Sequence, residues 1–315
     1  MMIRRGLALL GLLGLALVLS LVLRTPGESG QGVGAIPTDF LGSEPSELPL
    51  PPLDSEPGLR IDVLDVGQGD AILIRTPGGQ TVLYDGGEGR VALVPLLRDL
   101  GVTALDLVIA SHNHADHIGG LPDVIRTFRP RFVLENGIPN TTRTYERFLE
   151  AILEAESALL EPERRQIELG EVTLDILPPA GRVSWGQNDN SLAVFLTYGT
   201  FRASFMGDAE ARAFRVWLET YPELFTPVAL HKGSHHGSRN GDTEEAIRAL
   251  RPALVVLGVG AGNSYGHPHT EALSHYAGVG AQVLRTDLHG AIVIEVSPEG
   301  AVKVMPSRTP EGDPS

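Results

Sequence analysis

Residues 111–120 read SHNHADHIGG. His112, His114, Asp116 and His117 fall within six positions, directly after the apolar run LDLVIA at 105–110. A helix is expected behind them, over 117–128. Where a strand ends, the backbone can turn sharply, so His112 and His114 are expected to point one way, and Asp116 with His117 toward a second point nearby. Imidazole and carboxylate suit Zn²⁺, Mn²⁺ or Fe²⁺. Two such ions about 3.5–4 Å apart would share a water and bring its pKa toward neutrality. A solvated polar loop is the plain alternative, and four ligand-type side chains at this spacing weigh against it.

The rest of the composition narrows the chemistry. The chain has 315 residues, 42% hydrophobic and 20% charged, enough for one large domain or two small ones with a buried core. No cysteine is present, which excludes disulfides, thiolate metal sites and a cysteine nucleophile. Any metal is therefore held by imidazole and carboxylate. The net charge of −14 gives no bulk field that would gather nucleic acid, although a local basic groove or a bound metal could supply the attraction. The chain lacks the G-x-x-x-x-G-K-[ST], G-x-G-x-x-G and G-x-S-x-G patterns of phosphate loops, dinucleotide sites and nucleophile elbows.

At the N-terminus, Arg4 and Arg5 precede an uncharged apolar run, Gly6 to Leu23, closed by Arg24. As a helix its eighteen residues span about 27 Å, just enough to cross a bilayer core. Residues 1–24 are read as an uncleaved signal-anchor, with a cleaved signal peptide as the alternative. The flanking arginines orient such a span with the remaining chain outside, on the cytoplasmic membrane or, after cleavage, secreted or periplasmic. Residues 25–58, rich in Pro, Gly, Ser and Glu, read as a tether, and 306–315 as a loose tail.

Between them, 59–305 interchange strands and helices. Strands are expected at 61–66, 71–75, 81–85, 105–110 and 131–135, with helices near 91–100, 117–128 and 143–158. A second half follows: strands at 172–177, 191–199, 201–207, 227–231, 253–258, 282–286, 291–296 and 301–305, helices at 209–220, 243–250 and 270–277. Two sheet-rich halves with helices suggest two sheets packed face to face and covered by helices, an α+β arrangement.

The H-x-H-x-D-H pattern after a strand resembles the signature of the metallo-β-lactamase superfamily. That resemblance implies its αββα four-layer sandwich, with metal at one edge of the sheets. More narrowly, DVGQGDA (65–71), VLYDGG (82–87), NDNSL (188–192), GDAE (207–210), HKGSHHGS (231–238) and NSYGHPH (263–269) are similar, in order and spacing, to the C-terminal domain of the ComEC competence proteins and its free-standing relatives. The transmembrane channel of ComEC has no counterpart here beyond the one apolar run.

The resemblance implies a site. His112, His114, Asp116, His117, Asp208 and His267 would hold two divalent ions, Zn or Mn, with Asp208 bridging and His267 serving the second. His236 aligns with a phosphate-side histidine of ribonuclease J-type nucleases, and is expected to stabilise the transition state or protonate the leaving group, more so than His235. Lys232 is expected to contact phosphate, and Ser238 could do the same. Asp85 matches the superfamily's first motif and would orient a ligating histidine; Asp70 would do likewise or touch substrate. Simple Asx turns would also account for both. Many members supply a further histidine from the middle of the chain, whereas none occurs here between His117 and His231. Asn190 of the NDNS stretch is a candidate weak ligand or substrate contact, and an oxygen-rich first site would favour manganese. Glu210 is expected to face solvent, and His231, His275 and His289 to be structural.

The leading expectation is a metal-dependent phosphodiesterase outside the cytoplasmic membrane, a nuclease acting on DNA, with a competence channel as a partner. A hydrolase of a lactam, lactone or thioester is the alternative within the same fold. A membrane-tethered binding protein with a vestigial site is the alternative of another class, and the complete ligand set argues against it.

Overall fold

The computed structural model describes residues 58–181 and 183–309. The anchor and nearly all of the tether lie outside the described residues. Short apolar runs separated by glycine turns make the first three strands, β1 (Leu59–Val63), β2 (Ile72–Arg75) and β3 (Thr81–Tyr84), which pair antiparallel. Helices then intervene and the pairing changes sense. β4 (Leu107–Ile109), β5 (Phe132–Leu134) and β6 (Ala158–Leu160) add in parallel. Parallel neighbours need a long crossover, provided by α1 (Leu93–Asp99), the single turn α2 (Ala115–Ile118), α3 (Leu121–Phe128) and α4 (Arg143–Ala155).

The second half follows the same course. β7 (Arg165–Leu169), β8 (Val172–Leu177), β9 (Ala193–Tyr198) and β10 (Phe201–Phe205) are antiparallel. β11 (Leu230–Lys232), β12 (Leu254–Leu257) and β13 (Gln282–Arg285) then add in parallel. α5 (Ala211–Thr220), α6 (Glu244–Leu250) and α7 (Thr270–Gly278) make these crossovers, and a short α8 (Thr286–His289) follows β13. The chain then returns to the first sheet with β14 (Ile292–Val296) against β1 and β15 (Val302–Pro306) at its edge. The sheet orders are β15-β14-β1-β2-β3-β4-β5-β6 and β13-β12-β11-β10-β9-β8-β7.

Alternation along each strand builds the layers. Ile72 and Ile74 of β2 face the other sheet, where they share a core with Val194, Leu196, Phe205 and Val256. Leu73 points outward onto Leu97, Ile125 and Phe148 of the covering helices. Likewise Phe195 of β9 faces Phe214 and Trp217 of α5, and Val255 and Leu257 of β12 face Tyr276 of α7. Strands apolar on both faces are what a sheet covered on both sides requires. Four layers result, as expected: helices, sheet, sheet, helices.

Three local differences have physical causes. The helix expected over 143–158 stops at Ala155, because Glu156 turns left-handed (φ 57°) and the chain leaves as β6. β6 and β7 went unforeseen because they are edge strands with polar or exposed positions, as sheet edges commonly are. The loose tail begins too early at 306, since Pro306 pairs in β15, Ser307 N–H donates to the Ala291 carbonyl and Arg308 pairs with Asp65 at 2.7 Å.

Candidate metal centre

The site lies where loops leave the strands of both sheets at one end of the sandwich. After β4 the Ser111 N–H donates to Asp85 Oδ1 (2.7 Å), which turns the chain out of the sheet. His112 follows, fully buried, and His114 caps α2 in an extended conformation. The single turn of α2 then presents Asp116 and His117 together. Two glycines permit other loops to reach this turn. A Cβ on Gly69 would lie 2.2 Å from the Asp116 carbonyl oxygen, and one on Gly207 (φ 52°) would lie 2.7 Å from the Ser111 side chain.

Asp208, delivered by the loop after β10, stands at the middle. Its Oδ1 lies 3.1 Å from His117 Nε2 and 3.4 Å from His236 Nε2. Its Oδ2 lies 3.9 Å from His112 Nε2 and 3.8 Å from His235 Nε2. Asp116 Oδ2 completes the first group, 3.2 Å from His236 Nε2 and 3.9 Å from His117 Nε2. Ligand atoms of Asp116, His117, Asp208 and His236 all lie within 4.8 Å of one another. On the other side His114 Nδ1 is 3.1 Å from His112 Nε2. One carboxylate thus faces two sets of imidazoles.

His235 and His236 reach both sets because of their backbone. Both are left-handed, with φ of 49° and 55°, and Gly237 continues at 77°. For residues with a Cβ this conformation costs about 1–2 kcal/mol each. Such strain is characteristic of sites that need a particular side-chain direction. The His235 N–H donates to the Gly207 carbonyl (3.1 Å) and Ser234 Oγ to that of Ala209 (2.7 Å), fastening this loop to the one carrying Asp208.

Behind the cluster, an oxygen lies within 3.5 Å of the second nitrogen of four histidines. Asp85 Oδ2 is 2.8 Å from His117 Nδ1, and Asp70 Oδ1 is 3.5 Å from His236 Nδ1. Glu210 Oε1 is 3.2 Å from His235 Nδ1, and Ser111 Oγ is 3.1 Å from His112 Nδ1. Partners of this kind fix ring orientation at metal sites.

The donor set fits divalent cations. His117 Nε2 and Asp208 Oδ1 are buried without a hydrogen-bond partner and face each other. Burial alone would raise the Asp208 carboxyl, yet His117 and His236 outweigh it and hold it well below the carboxylate range. Burial opposes a proton on His236, but Asp208 and Asp70 lift its pKa to about 10. Buried carboxylates that make imidazoles keep their protons form a place where positive charge is required, by protons or by metal.

The structure places the remaining expected site residues as follows. His236, expected to stabilise the transition state or protonate the leaving group, sits among the candidate ligand atoms. His267, read as a ligand, stands outside the four-residue group, its ring centroid 6.2 Å from that of His236 and 5.6 Å from that of His235. Burial, His236 and His235 lower its pKa to about 4, so it is a neutral imidazole at the site's edge, with the exposed Tyr265 ring stacked on it at 5.6 Å. Lys232, expected to contact phosphate, is fully buried and pairs with Asp70 Oδ2 at 2.8 Å. Glu210 turns to His235 rather than to solvent. Within NDNS, Ser191 is the residue at the site, accepting the Asp208 N–H at 3.1 Å, while the buried Asn190 donates to the Gly186 carbonyl. The strand positions, the loops and the two-sided Asp208 agree with one family, and a family model, the metallo-beta-lactamase superfamily, matches residues 64–259.

The chain belongs to the metallo-beta-lactamase superfamily. ComE operon protein 3 of Bacillus subtilis (strain 168) is 27% identical over 253 residues, covering 74% of this chain and 32% of that protein. Competence protein ComA of Neisseria gonorrhoeae is 27% identical over 292 residues, covering 90% of this chain and 38% of that protein. The chain therefore spans about a third of the length of these curated relatives. Among solved structures, CmlA, a diiron β-hydroxylase from Streptomyces venezuelae, shares the fold at 17% identity with a TM-score of 0.51, over 76% of this chain and 54% of that one. The chain is thus a superfamily hydrolase related to competence proteins, with a His/Asp cluster compatible with divalent metal.

Sequence reasoning passed over one further group of this metallo-beta-lactamase domain. Asp242 is buried and lies 3.0 Å from His231 Nε2, while Ser204 Oγ lies 2.8 Å from His231 Nδ1. Asp242 Oδ2 also accepts from the Ser234 N–H (2.9 Å) and Tyr276 OH (2.7 Å). This network braces both ends of the loop carrying His235 and His236. Its only local sign was a histidine inside an apolar strand.

Proposed function

We propose that this protein is a metal-dependent phosphodiesterase that cleaves DNA outside the cytoplasmic membrane, held there by its arginine-flanked apolar segment and working beside a competence channel. The observation that carries the hydrolytic reading is Asp208, one carboxylate facing His117 and His236 with one oxygen and His112 and His235 with the other. Similarity to competence proteins supports DNA as substrate. The buried, nitrogen- and carboxylate-lined centre suits an anionic group better than an apolar one.

In this reading Asp116, His117, Asp208 and His236 would hold one ion, and His112, His114, His235 and Asp208 would hold the other. His235 then supplies the histidine that is missing from the middle of the chain. Bound divalent cations supply Lewis acidity and an acidified water. The chain does the rest. Asp85, Asp70, Glu210 and Ser111 hold the rings in place, and the sheet ends exclude water from one side. His267, neutral above about pH 4, offers an N–H at the edge of the site. It can donate a hydrogen bond to a phosphate oxygen without carrying a positive charge. Asn263 fixes the His267 backbone, accepting its N–H at 3.0 Å and donating to its carbonyl at 2.8 Å.

The test strips the full chain of metal, restores Mn²⁺ or Zn²⁺, and follows single-stranded and plasmid DNA alongside a lactam and a lactone. Metal-dependent cutting of DNA, lost in Asp116→Ala and His236→Ala, is the expected result. Turnover of the carbonyl substrates with intact DNA would replace the reading with the superfamily's other chemistry. Bound metal with no turnover of any substrate would leave the binding-protein reading.

A further inference from the structure

A cleft of about 610 Å³ opens between the turn Val183–Trp185, the start of α5 and the loop around 239–243. Its size falls within the ~300–1,000 Å³ of ordinary ligand pockets. Glu210 forms part of its wall and also touches His235, so the cleft and the metal centre share a partition one side chain thick.

Charge within the cleft is unevenly satisfied. Its carboxylates are engaged by the chain itself: Glu210 by His235 and by Asn188 Nδ2 (3.2 Å), Glu244 by Arg248 (2.6 Å), Asp189 by the Ala213 N–H (3.3 Å) and Asp242 by His231. The arginines are not. Arg212 makes no ion pair among the described residues, and its guanidinium carbon lies 5.7 Å from the centre of the Trp185 ring. Among the described residues Arg239 pairs only with Glu271, at 3.4 Å, and both side chains are more than half exposed (57% and 52%). Such surface pairs hold weakly and exchange readily.

A partly exposed indole, a guanidinium lying over it and a second arginine together match what an unpaired nucleotide presents. Bases stack on aromatic rings and on guanidinium planes, and phosphates pair with arginine. A base inside a duplex keeps both faces covered and cannot use such a platform. We propose that this cleft is a nucleotide subsite for an unpaired polynucleotide strand, with a base stacked on Trp185–Arg212 and the adjoining phosphate paired with Arg239. The assignment rests on the phosphodiesterase reading of the neighbouring centre, and specifies the strand that would feed it.

The test measures anisotropy of labelled oligothymidylate, oligouridylate and a duplex of equal length with the metal-free full chain. Single strands are expected to bind more tightly than duplex. Trp185→Ala and Arg212→Ala should each weaken single-strand binding about tenfold, while Trp185→Tyr, which keeps an aromatic face, retains it. The thymidylate and uridylate arms distinguish DNA from RNA. Equal affinities for wild type and both alanine variants, or duplex binding as tight as single strand, would overturn the proposal. Hydrolysis of bis(4-nitrophenyl) phosphate by the Mn²⁺-loaded wild type tests the metal centre separately. If it is absent while binding still depends on Trp185, the subsite stands and the phosphodiesterase reading falls.

Discussion

Lys232 Nζ lies 2.8 Å from Asp70 Oδ2, and neither side chain is exposed. Asp70 in turn faces His236, so the charge of a buried lysine is transmitted to the metal centre through one carboxylate. Removing one partner of a buried pair leaves the other charge uncompensated, at about 3–5 kcal/mol. Lys232→Ala should lose stability of this order in chemical denaturation. Replacing both, Lys232→Met with Asp70→Leu, should cost markedly less. Equal losses would mean that the pair does not act as a unit.

Metal stoichiometry distinguishes the two sides of Asp208. His235→Ala should retain one of two metal equivalents, the one held with His236, and His236→Ala should release that one while keeping its partner. Asp208→Ala should weaken both. Elemental analysis after equilibrium dialysis reads this directly. Full occupancy in His235→Ala would remove that residue from the ligand set.

His267 is expected to behave differently. His267→Ala should keep its metal, yet lose about 10²–10³ in kcat, the scale of a removed transition-state hydrogen-bond donor. A variant that loses metal in parallel with activity would return His267 to the role of ligand.

Asp242 predicts an acid limb of stability. Burial would raise its carboxyl, but His231 together with the Tyr276 and Ser234 hydrogen bonds keeps it below the ordinary value. A depressed carboxylate contributes stability above its unfolded pKa of about 3.9. That contribution is lost as the pH falls through the lower folded value. Asp242→Asn should therefore be less stable than wild type at neutral pH, and the two should converge below about pH 4. Denaturation midpoints across pH would show this, and a constant gap down to the acid end would contradict it.

Legibility from sequence followed distance along the chain. The HNHADH motif could be read because its four ligands are local and the strand before it is apolar throughout. The two sheets were readable for a similar reason, since strands such as β9 and β12 are buried on both faces and cannot be mistaken for surface. The placement of both His235 and His236 against Asp208 could not be read, because left-handed backbone at two adjacent histidines has no mark in composition. The burial of Lys232 could not be read, because lysine in a glycine- and histidine-rich stretch looks solvated. Its partner lies in a loop from the other half. Glu210 and Asp242 act only through tertiary contacts, so their functions became visible once the loops were placed.

The pairing of β1 with β14 has a temporal consequence. Arg60 and Glu295 meet across 235 positions, so β1 keeps an open edge until almost the whole chain is available. Contacts of such separation form late. The metal-binding loops of both halves are complete before this closure, but the sheet carrying half of them is not. Metal bound as proposed would therefore report a finished fold: a chain truncated before β14 would carry every candidate ligand and still lack the frame that aims them.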